Sequence, residues 1–304
     1  MELRRLRYFV AVAEESSFSR AARRLHMAQP PLSSQIKQLE ELGVVLFERS
    51  SRGVRTTETG ELLLEEARRI FTLVESTVSM VRRVGHGEVG RLTLGFVPSS
   101  SDELLPPILS NFGEKYPDVD LFLREMRPDL IVQRLHEGQI DAGFIYLPLD
   151  DPSLQVECVS REPLVLALPA KHPLSSEDDV DLASFADEPF ILPARYRRVP
   201  GLYGQVTEAC REAGFTPNAV QKDVWLMQTI VGLVAGGIGA ALVPASVQNL
   251  RRKGVVYKTV RGLSPSVELG MVWRSDDKSA VLRSFLGVTR ETQQNTDAEL
   301  AGTA

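Results

Sequence analysis

With 304 residues, 43% hydrophobic and 25% charged, the chain is longer than one typical domain and has the composition of a globular protein. No apolar run reaches the roughly 18 residues of a membrane span. The N-terminal MELRRLRYF has no signal-type apolar region, and two distant cysteines, Cys158 and Cys210, make neither a disulfide framework nor a metal cluster, so a mature cytoplasmic chain with reduced thiols is expected. The net charge of -5 hides an asymmetry: residues 1–60 hold ten Lys or Arg against seven Glu, a mildly basic head on an acidic body.

In chain order, residues 3–15 place Leu6, Phe9, Val10 and Ala13 on one stripe, which predicts a helix broken by Ser16 and Ser17. Phe18 is a core anchor, and Ser19 has the right type for an N-cap. From Ser19 to Leu42 the pattern gives two short helices. Ala21, Ala22 and Leu25 form a small apolar face on the first; Pro30 and Pro31 open the second, and Leu32, Ile36 and Leu39 recur at spacings of four and three. The opposite face carries Gln29, Ser33, Ser34, Gln35, Lys37 and Gln38, residue types that bond base edges and phosphates. Alone, this stretch fits a DNA-reading helix-turn-helix and a helical hairpin in any small bundle equally well.

Gly43 stops the second helix, and ERSSRGVRTTETG reads as a small hairpin, or wing, with Gly53 at its turn and Arg49, Arg52 and Arg55 directed at phosphates, although taken alone a solvated loop fits the same residues. Thr57 or Thr59 caps a long helix from about Glu58 to Val84. Its Leu63, Ala67, Ile70, Val74, Thr77, Val81 and Val84 keep a heptad seam that wants a partner, the simplest being the same helix of a second chain, although packing on its own chain fits the same residues. His86, Gly87, Glu88 and Gly90 come next as a hinge.

Beyond it the pattern turns to βα units. Strands are expected at 91–97, 119–125 and 141–145, with helices starting near Leu104 and Leu130, as a small lobe with a mostly parallel sheet. A second lobe has strands at 164–168, 190–192, 219–222, 240–243 and 255–260, and helices at 202–213, 225–235 and 244–250. A strand at 267–273 and a helix at 281–290 return to the first lobe, leaving a cleft between the two. The division expected is 1–58 winged helix-turn-helix, 59–87 linker helix, 88–90 hinge, 91–162 plus 266–292 first lobe, 163–265 second lobe, and 293–304 a disordered tail.

The chemistry of catalysis is missing from the sequence. His26, His86, His136 and His172 show no metal-ligand spacing, and there is neither a G-x-S-x-G elbow nor a Walker loop. Gly237-Ile-Gly239 lacks the rest of a dinucleotide fingerprint and is assigned to close packing of helix and strand. No enzyme, cofactor or metal is expected. Pro98-Ser99-Ser100-Ser101 opens a helix after the first strand, where hydroxyls and backbone N–H groups suit an anion, although an ordinary Ser-rich cap fits the same residues. Pro200-Gly201-Leu202 opens another helix behind Arg195, Arg197 and Arg198, and Tyr146 ends the third strand; which Arg faces the cleft is left open.

At this point the chain resembles the LysR-type transcriptional regulators over nearly its full length. The resemblance is carried by F-x-x-V-A-E-x-x-S-F-S-x-A-A-x-x-L at Phe9 to Leu25, AQPPLS-x-Q-I-x-x-LE at Ala28 to Glu40, L-F-x-R at Leu46 to Arg49, and T-x-x-G at Thr57 to Gly60. In the body, Gly232-Leu233-Val234-Ala235 and the stretch from Gly236 to Pro244 add to it. The resemblance implies an N-terminal winged helix-turn-helix with a long linker helix and a two-lobed, periplasmic-binding-protein-like α/β effector domain. It implies Gln29, Pro30, Ser33, Ser34, Lys37, Arg52 and Arg55 on double-stranded DNA. It implies Ser99, Ser100, Arg127, Tyr146, Pro200, Gly201 and Tyr203 around a small organic acid. It also implies a homodimer through the linker helix, assembly to a homotetramer, and a contact with RNA polymerase. Among subgroups the chain is similar to regulators of aromatic-compound catabolism that sense benzoate- or muconate-like acids.

Three departures matter. Relatives place Arg where this chain has Ser34, removing a bidentate donor worth about 1–3 kcal/mol of base discrimination. Leu39-Glu40 is followed by only Glu41 before Leu42-Gly43, one residue short of the family pattern, which rotates the downstream residues by about 100° unless the turn absorbs it. Tyr146 stands where some aromatic-acid sensors carry Arg. The alternative readings are a small-molecule-binding protein without productive DNA binding and a two-lobed enzyme. Sequence-specific DNA binding separates the regulator from both.

Overall fold

In the computed structural model α1 (Leu3–Glu15) buries Leu6, Tyr8, Phe9, Ala11 and Val12, and Ser16 ends it in the left-handed region with its N–H returned to the Ala13 carbonyl. The cap of α2 (Phe18–Arg24) is Ser17, whose hydroxyl accepts from the Arg20 N–H; the expected cap, Ser19, lies inside the first turn. α3 (Gln29–Glu40) carries proline in its first turn and buries Leu32, Ile36 and Leu39 against Phe9, Ala21, Ala22 and Phe47. β1 (Phe47–Ser50) and β2 (Gly53–Thr56) pair antiparallel as the wing.

α4 (Glu58–Gly85) explains the T-x-x-G motif. The Thr57 hydroxyl accepts from the Gly60 N–H at 3.0 Å and donates to the Val45 carbonyl, which the Thr59 hydroxyl also reaches. A Cβ on Gly60 would stand 2.2 Å from the Leu46 carbonyl oxygen, so only glycine lets the helix sit this close to the segment before the wing. The motif fixes the first turn of α4 to the helix-turn-helix core.

The structure describes residues 2–41, 43–50, 53–197 and 199–302; Leu42, Arg52 and Arg198, on which expectations fell, lie outside the described residues. Two units emerge, Met1–Arg82 and Arg83–Ala304.

In the second unit, β3 (Val89–Phe96) runs between and parallel to β4 (Asp118–Glu125) and β5 (Ala142–Tyr146), with α5 (Leu105–Lys115) and α6 (Pro128–His136) as crossovers. β6 (Leu154–Pro169) is far longer than the expected 164–168. Its second half is a buried apolar run, whereas its first half mixes polar and apolar residues and shows no signal of its own. β7 (Asp179–Val180), β8 (Pro189–Pro193), α7 (Gly201–Glu212), β9 (Asn218–Val224), α8 (Met227–Ala235), β10 (Ala241–Pro244) and β11 (Val255–Val260) build the other lobe, with β8 and β9 parallel. β12 (Ser266–Arg274) returns antiparallel to both β5 and β6, while the second half of β6 pairs with β10 and β11. One continuous strand therefore crosses between the lobes.

The helix expected at 244–250 is present as a 3-10 helix, Ala245–Leu250. The expectation for the tail is corrected. α9 (Ala280–Gly302) continues through most of the tail expected to be disordered, because Ala, Glu, Gln and Leu are good helix formers and extend a helix already docked through Phe285 and Thr292. Gly239, in the turn after α8, presses on β8, where its Cβ would lie 2.5 Å from the Pro189 carbonyl oxygen, in keeping with the close packing of helix and strand expected there. The segment after α4 is closely held. Gly87 adopts φ +71°, its N–H returns to the Val84 carbonyl, and it sits buried against the backbone of Ala280 at the start of α9.

Candidate functional site

In the first unit, the face of α3 opposite its buried stripe shows Gln29, Pro30, Ser34 and Lys37 to solvent, with Ser33 half-buried. Gln29 is held by Ser19, whose hydroxyl donates to the Gln29 side-chain amide oxygen Oε1 at 2.8 Å. On α2, Arg24 donates to the Glu14 carboxylate at 2.8 Å and Arg20 pairs with Glu15, so these two cations are engaged within the unit. The Arg24 hydrogen bond holds the Glu14 carboxyl below its ordinary range. On the wing, Arg55 is exposed, whereas the guanidinium of Arg49 stacks over the Phe18 ring at 4.6 Å. The surface thus offers amides, hydroxyls and few cations.

Among the described residues, none covers the apolar stripe of α4 beyond its first turns. Leu73 and Val81 are 66% and 67% exposed, and Ile70, Val74, Val78 and Val84 are exposed beside them.

In the second unit, five of the seven residues expected around an effector line one cavity of about 40 Å³: Ser99, Tyr146, Pro200, Gly201 and Tyr203. It lies outside the carboxyl ends of β3, β5, β8 and β9, the usual ligand position for parallel strands. The starts of α6, α7 and α8 converge on it through Pro128, Gly201 and Met227. Gly201 adopts φ +43°, and a Cβ there would press to 3.1 Å on the Tyr146 carbonyl oxygen. The Tyr146 hydroxyl donates to the Ser99 Oγ at 2.8 Å, and burial pushes its phenol far above the ordinary range, against the opposing pull of that hydrogen bond.

The other two expected residues are elsewhere. Ser100 is buried with its hydroxyl donated to the Val97 carbonyl, which closes the 3-10 turn Pro98–Ser101. Arg127 is exposed, ion-paired with Asp129 at 3.0 Å and stacked near the Tyr196 ring. Arg195 likewise lies against Tyr203 outside the lining. Two lining residues that sequence reasoning missed, Tyr196 and Trp225, each come just after the end of a strand, a positional signal that required the strand ends to be known. Among the described residues, no Lys, Arg, His, Asp or Glu lines the cavity. Nearby, Glu162 on β6 accepts from the Ser246 N–H at 2.8 Å, and burial raises its carboxyl above the usual value. Among the described residues no cluster suited to a metal ion occurs.

A winged helix-turn-helix carried on a long helix, with an α/β body holding a cavity at its strand ends, defines the class of effector-controlled DNA-binding regulators. Comparisons with known proteins make this specific. Residues 3–61 match the bacterial regulatory helix-turn-helix protein, lysR family, and residues 85–294 match the LysR substrate binding domain. The HTH-type transcriptional regulator AlsR of Bacillus subtilis is 39% identical over 304 residues, covering 100% of both chains. BenM of Acinetobacter baylyi is 36% identical over 294 residues, 96% of each chain. Among solved structures, CbnR, a LysR family transcriptional regulator, superposes with TM-score 0.77 at 29% identity, over 95% of this chain and 100% of that one. CbnR has also been solved in complex with its target DNA.

The chain belongs to the LysR family. It is a DNA-binding transcriptional regulator with an effector-binding domain, not an enzyme, and has the DNA binding and self-association typical of LysR regulators. Two expected descriptions are corrected by these matches. The body is a LysR substrate-binding domain rather than a periplasmic-binding-protein-like one. The cytoplasmic placement gives way to the narrower fact that no helix among the described residues is long and apolar enough to cross a membrane.

Proposed function

We propose that this regulator reads double-stranded DNA with Gln29, Pro30, Ser33, Ser34 and Lys37 of α3, supported by Arg55 and Arg52 of the wing, and that a small carboxylic acid in the cavity beside Ser99 and Tyr146 controls it. The observation that carries the reading is the two-sidedness of α3. Leu32, Ile36 and Leu39 are buried to 3% exposure or less, which commits the other face, with its amide and hydroxyl donors, to the outside. An acid bound without a cationic side chain would be held by hydroxyls and by N–H groups at the converging helix starts. The uncovered stripe of α4 supports a homodimer joined along that helix, and two such pairs form the tetramer. RNA polymerase is the partner through which such a regulator acts on transcription.

The test is selection of duplexes from a randomised library by the full-length protein, followed by thermal melts with acetate, benzoate and muconate. A palindromic motif should be enriched, and at least one acid should raise the melting temperature and change DNA affinity. Retention of DNA without any enriched motif would overturn the assignment of α3. Absence of any melting shift with all three acids would overturn the assignment of the ligand class.

A further inference from the structure

The cavity at the strand ends is built without the groups that ordinarily hold a carboxylate. Its polar side chains are the Ser99, Tyr146, Tyr196 and Tyr203 hydroxyls and the Trp225 ring N–H; the other side chains of the lining are apolar. The turn Pro98–Ser101 and α6 each open on a proline, so neither presents an N–H from that lining residue. The surrounding charge does not favour an anion either. The carboxyl groups of Asp102, just after the turn, and Glu162, on β6, both bear on the Tyr146 hydroxyl. Asp129 at the start of α6 and Asp223 on β9 bear on Tyr196, opposed by Arg127, which is itself paired with Asp129. Arg195 lies against Tyr203 from outside the lining and is exposed to solvent. Resting on the reading of this cavity as an acid site, we propose that it takes the undissociated acid rather than the carboxylate, so that the regulator responds to acid and to pH together.

The reasons are solvation and hydrogen bonding. A carboxylate moved from water into a site without a countercharge takes up a proton instead of staying ionised. The carboxylate only accepts hydrogen bonds, whereas the neutral acid also donates one. The Tyr146 hydroxyl now donates to the Ser99 Oγ at 2.8 Å. With the acid bound, the phenol turns its proton to the ligand carbonyl oxygen, and the Ser99 Oγ accepts from the ligand O–H in its place. The ligand draws one proton from the buffer on entering, and that proton stays on its own carboxyl oxygen. For a carboxylic acid of pKa about 4.3, about one molecule in 500 is undissociated at about pH 7, and each further pH unit cuts that share about tenfold.

The experiment is isothermal titration calorimetry of the full-length protein with acetate and with benzoate, from about pH 6 to about pH 7.5, in buffers of different ionisation enthalpy. Methanesulfonate and benzenesulfonate, which stay charged throughout, are the matched controls. At least one acid should bind, with a dissociation constant in total acid that rises about tenfold per pH unit and with about one proton taken up per ligand. Its sulfonate should give no binding heat. Tyr146→Phe should weaken binding about two- to tenfold with the same slope. Asp102→Asn and Glu162→Gln each remove a carboxyl that burial pushes up, and both should keep the slope. An affinity independent of pH, or a sulfonate that binds as tightly as its acid, would overturn the proposal. So would loss of the slope in either carboxyl variant, because the proton would then belong to the protein. If neither acid binds at any pH, or if Tyr146→Phe binds as wild type does, the acid reading of the cavity itself fails. The pH and sulfonate arms use wild type alone, so a variant that does not fold leaves the test intact.

Discussion

The segment joining α4 to the body is testable by a single methyl group. At Gly87 a Cβ would lie 2.4 Å from both the carbonyl carbon and oxygen of Ala280 and 2.7 Å from the Val281 nitrogen. These are backbone atoms at the start of α9, and no side chain can swing aside to make room. The residue also holds φ +71°, which costs an L-residue about 1–2 kcal/mol. Forcing an extra methyl into a packed contact adds about 1–3 kcal/mol. Gly87→Ala should therefore destabilise the body by about 2–5 kcal/mol, and at about 2–4 °C per kcal/mol for a unit of this size its melting temperature should fall by about 4–20 °C.

The comparison is Gly85→Ala, two residues earlier, where no heavy atom lies within 4 Å of the added Cβ. It ends α4 in helical conformation, so the change should be neutral or stabilising by up to about 1 kcal/mol. Thermal melts of both variants, monitored by circular dichroism, decide the matter. Equal melting temperatures for the two would refute the argument, because they would mean that the Gly87 contact with α9 does not exist in solution.

The geometry supports three further predictions. Leu73→Glu with Val81→Glu places charges on the uncovered stripe of α4 and should dissociate the assembly in sedimentation velocity while the body keeps its melting temperature; an unchanged sedimentation coefficient would move the dimer contact elsewhere. Ser34→Arg restores a donor to the exposed face of α3 and should tighten binding to the selected duplex about fivefold or more, and unchanged affinity would place position 34 away from DNA. For Glu162, burial raises the folded pKa above the ordinary 4.5, so its neutral form is the one favoured by folding. That contribution is complete below the unfolded pKa and is lost as pH rises through the folded value. Glu162→Gln, which still accepts from the Ser246 N–H, should melt near wild type at about pH 4 and above it at about pH 8; a difference independent of pH would contradict the burial argument.

Much of this organisation is legible in the residues because short-range rules govern it. The spacing of Leu32, Ile36 and Leu39 defines a helix face without reference to anything distant, and α3 buries all three. The wing is legible from Gly53 between two short runs, and β1 and β2 pair there. Long-range closure is not legible in the same way. The first half of β6 is a strand because β12 lies beside it, and nothing local in Leu154–Glu162 announces that neighbour. The cavity shows the same limit. Tyr146 and the Pro200–Gly201 start are identifiable as ends of elements, but Tyr196 and Trp225 join them only once β8 and β9 are seen to finish at one place. Arg127 is expected at the effector only through the family resemblance; its pairing with Asp129, two residues on, is a local competition that takes it out of the lining.

The segment after Glu40, expected to be one residue short of the family pattern, shows how local structure would accommodate such a change. A deletion inside α3 would rotate everything beyond it by about 100° and pull Leu39 out of the core. Instead α3 ends at Glu40, with the Glu41 N–H bonded to the Lys37 carbonyl as a cap, and Leu39 stays 3% exposed. The change of direction falls on Gly43, at φ +86°, whose N–H returns to the Glu40 carbonyl at 3.0 Å. The Glu40 carboxylate then accepts from the Leu46 N–H at 3.0 Å, which ties the shortened turn to the buried Leu46 and Phe47. The register of α3 is therefore set entirely upstream of the gap, by Leu32 and Ile36, both fully buried. The exposed residues Gln29, Pro30 and Ser34 keep the orientation that an uninterrupted helix gives them, and a shortening after Glu40 would fall on the turn that leads to the wing.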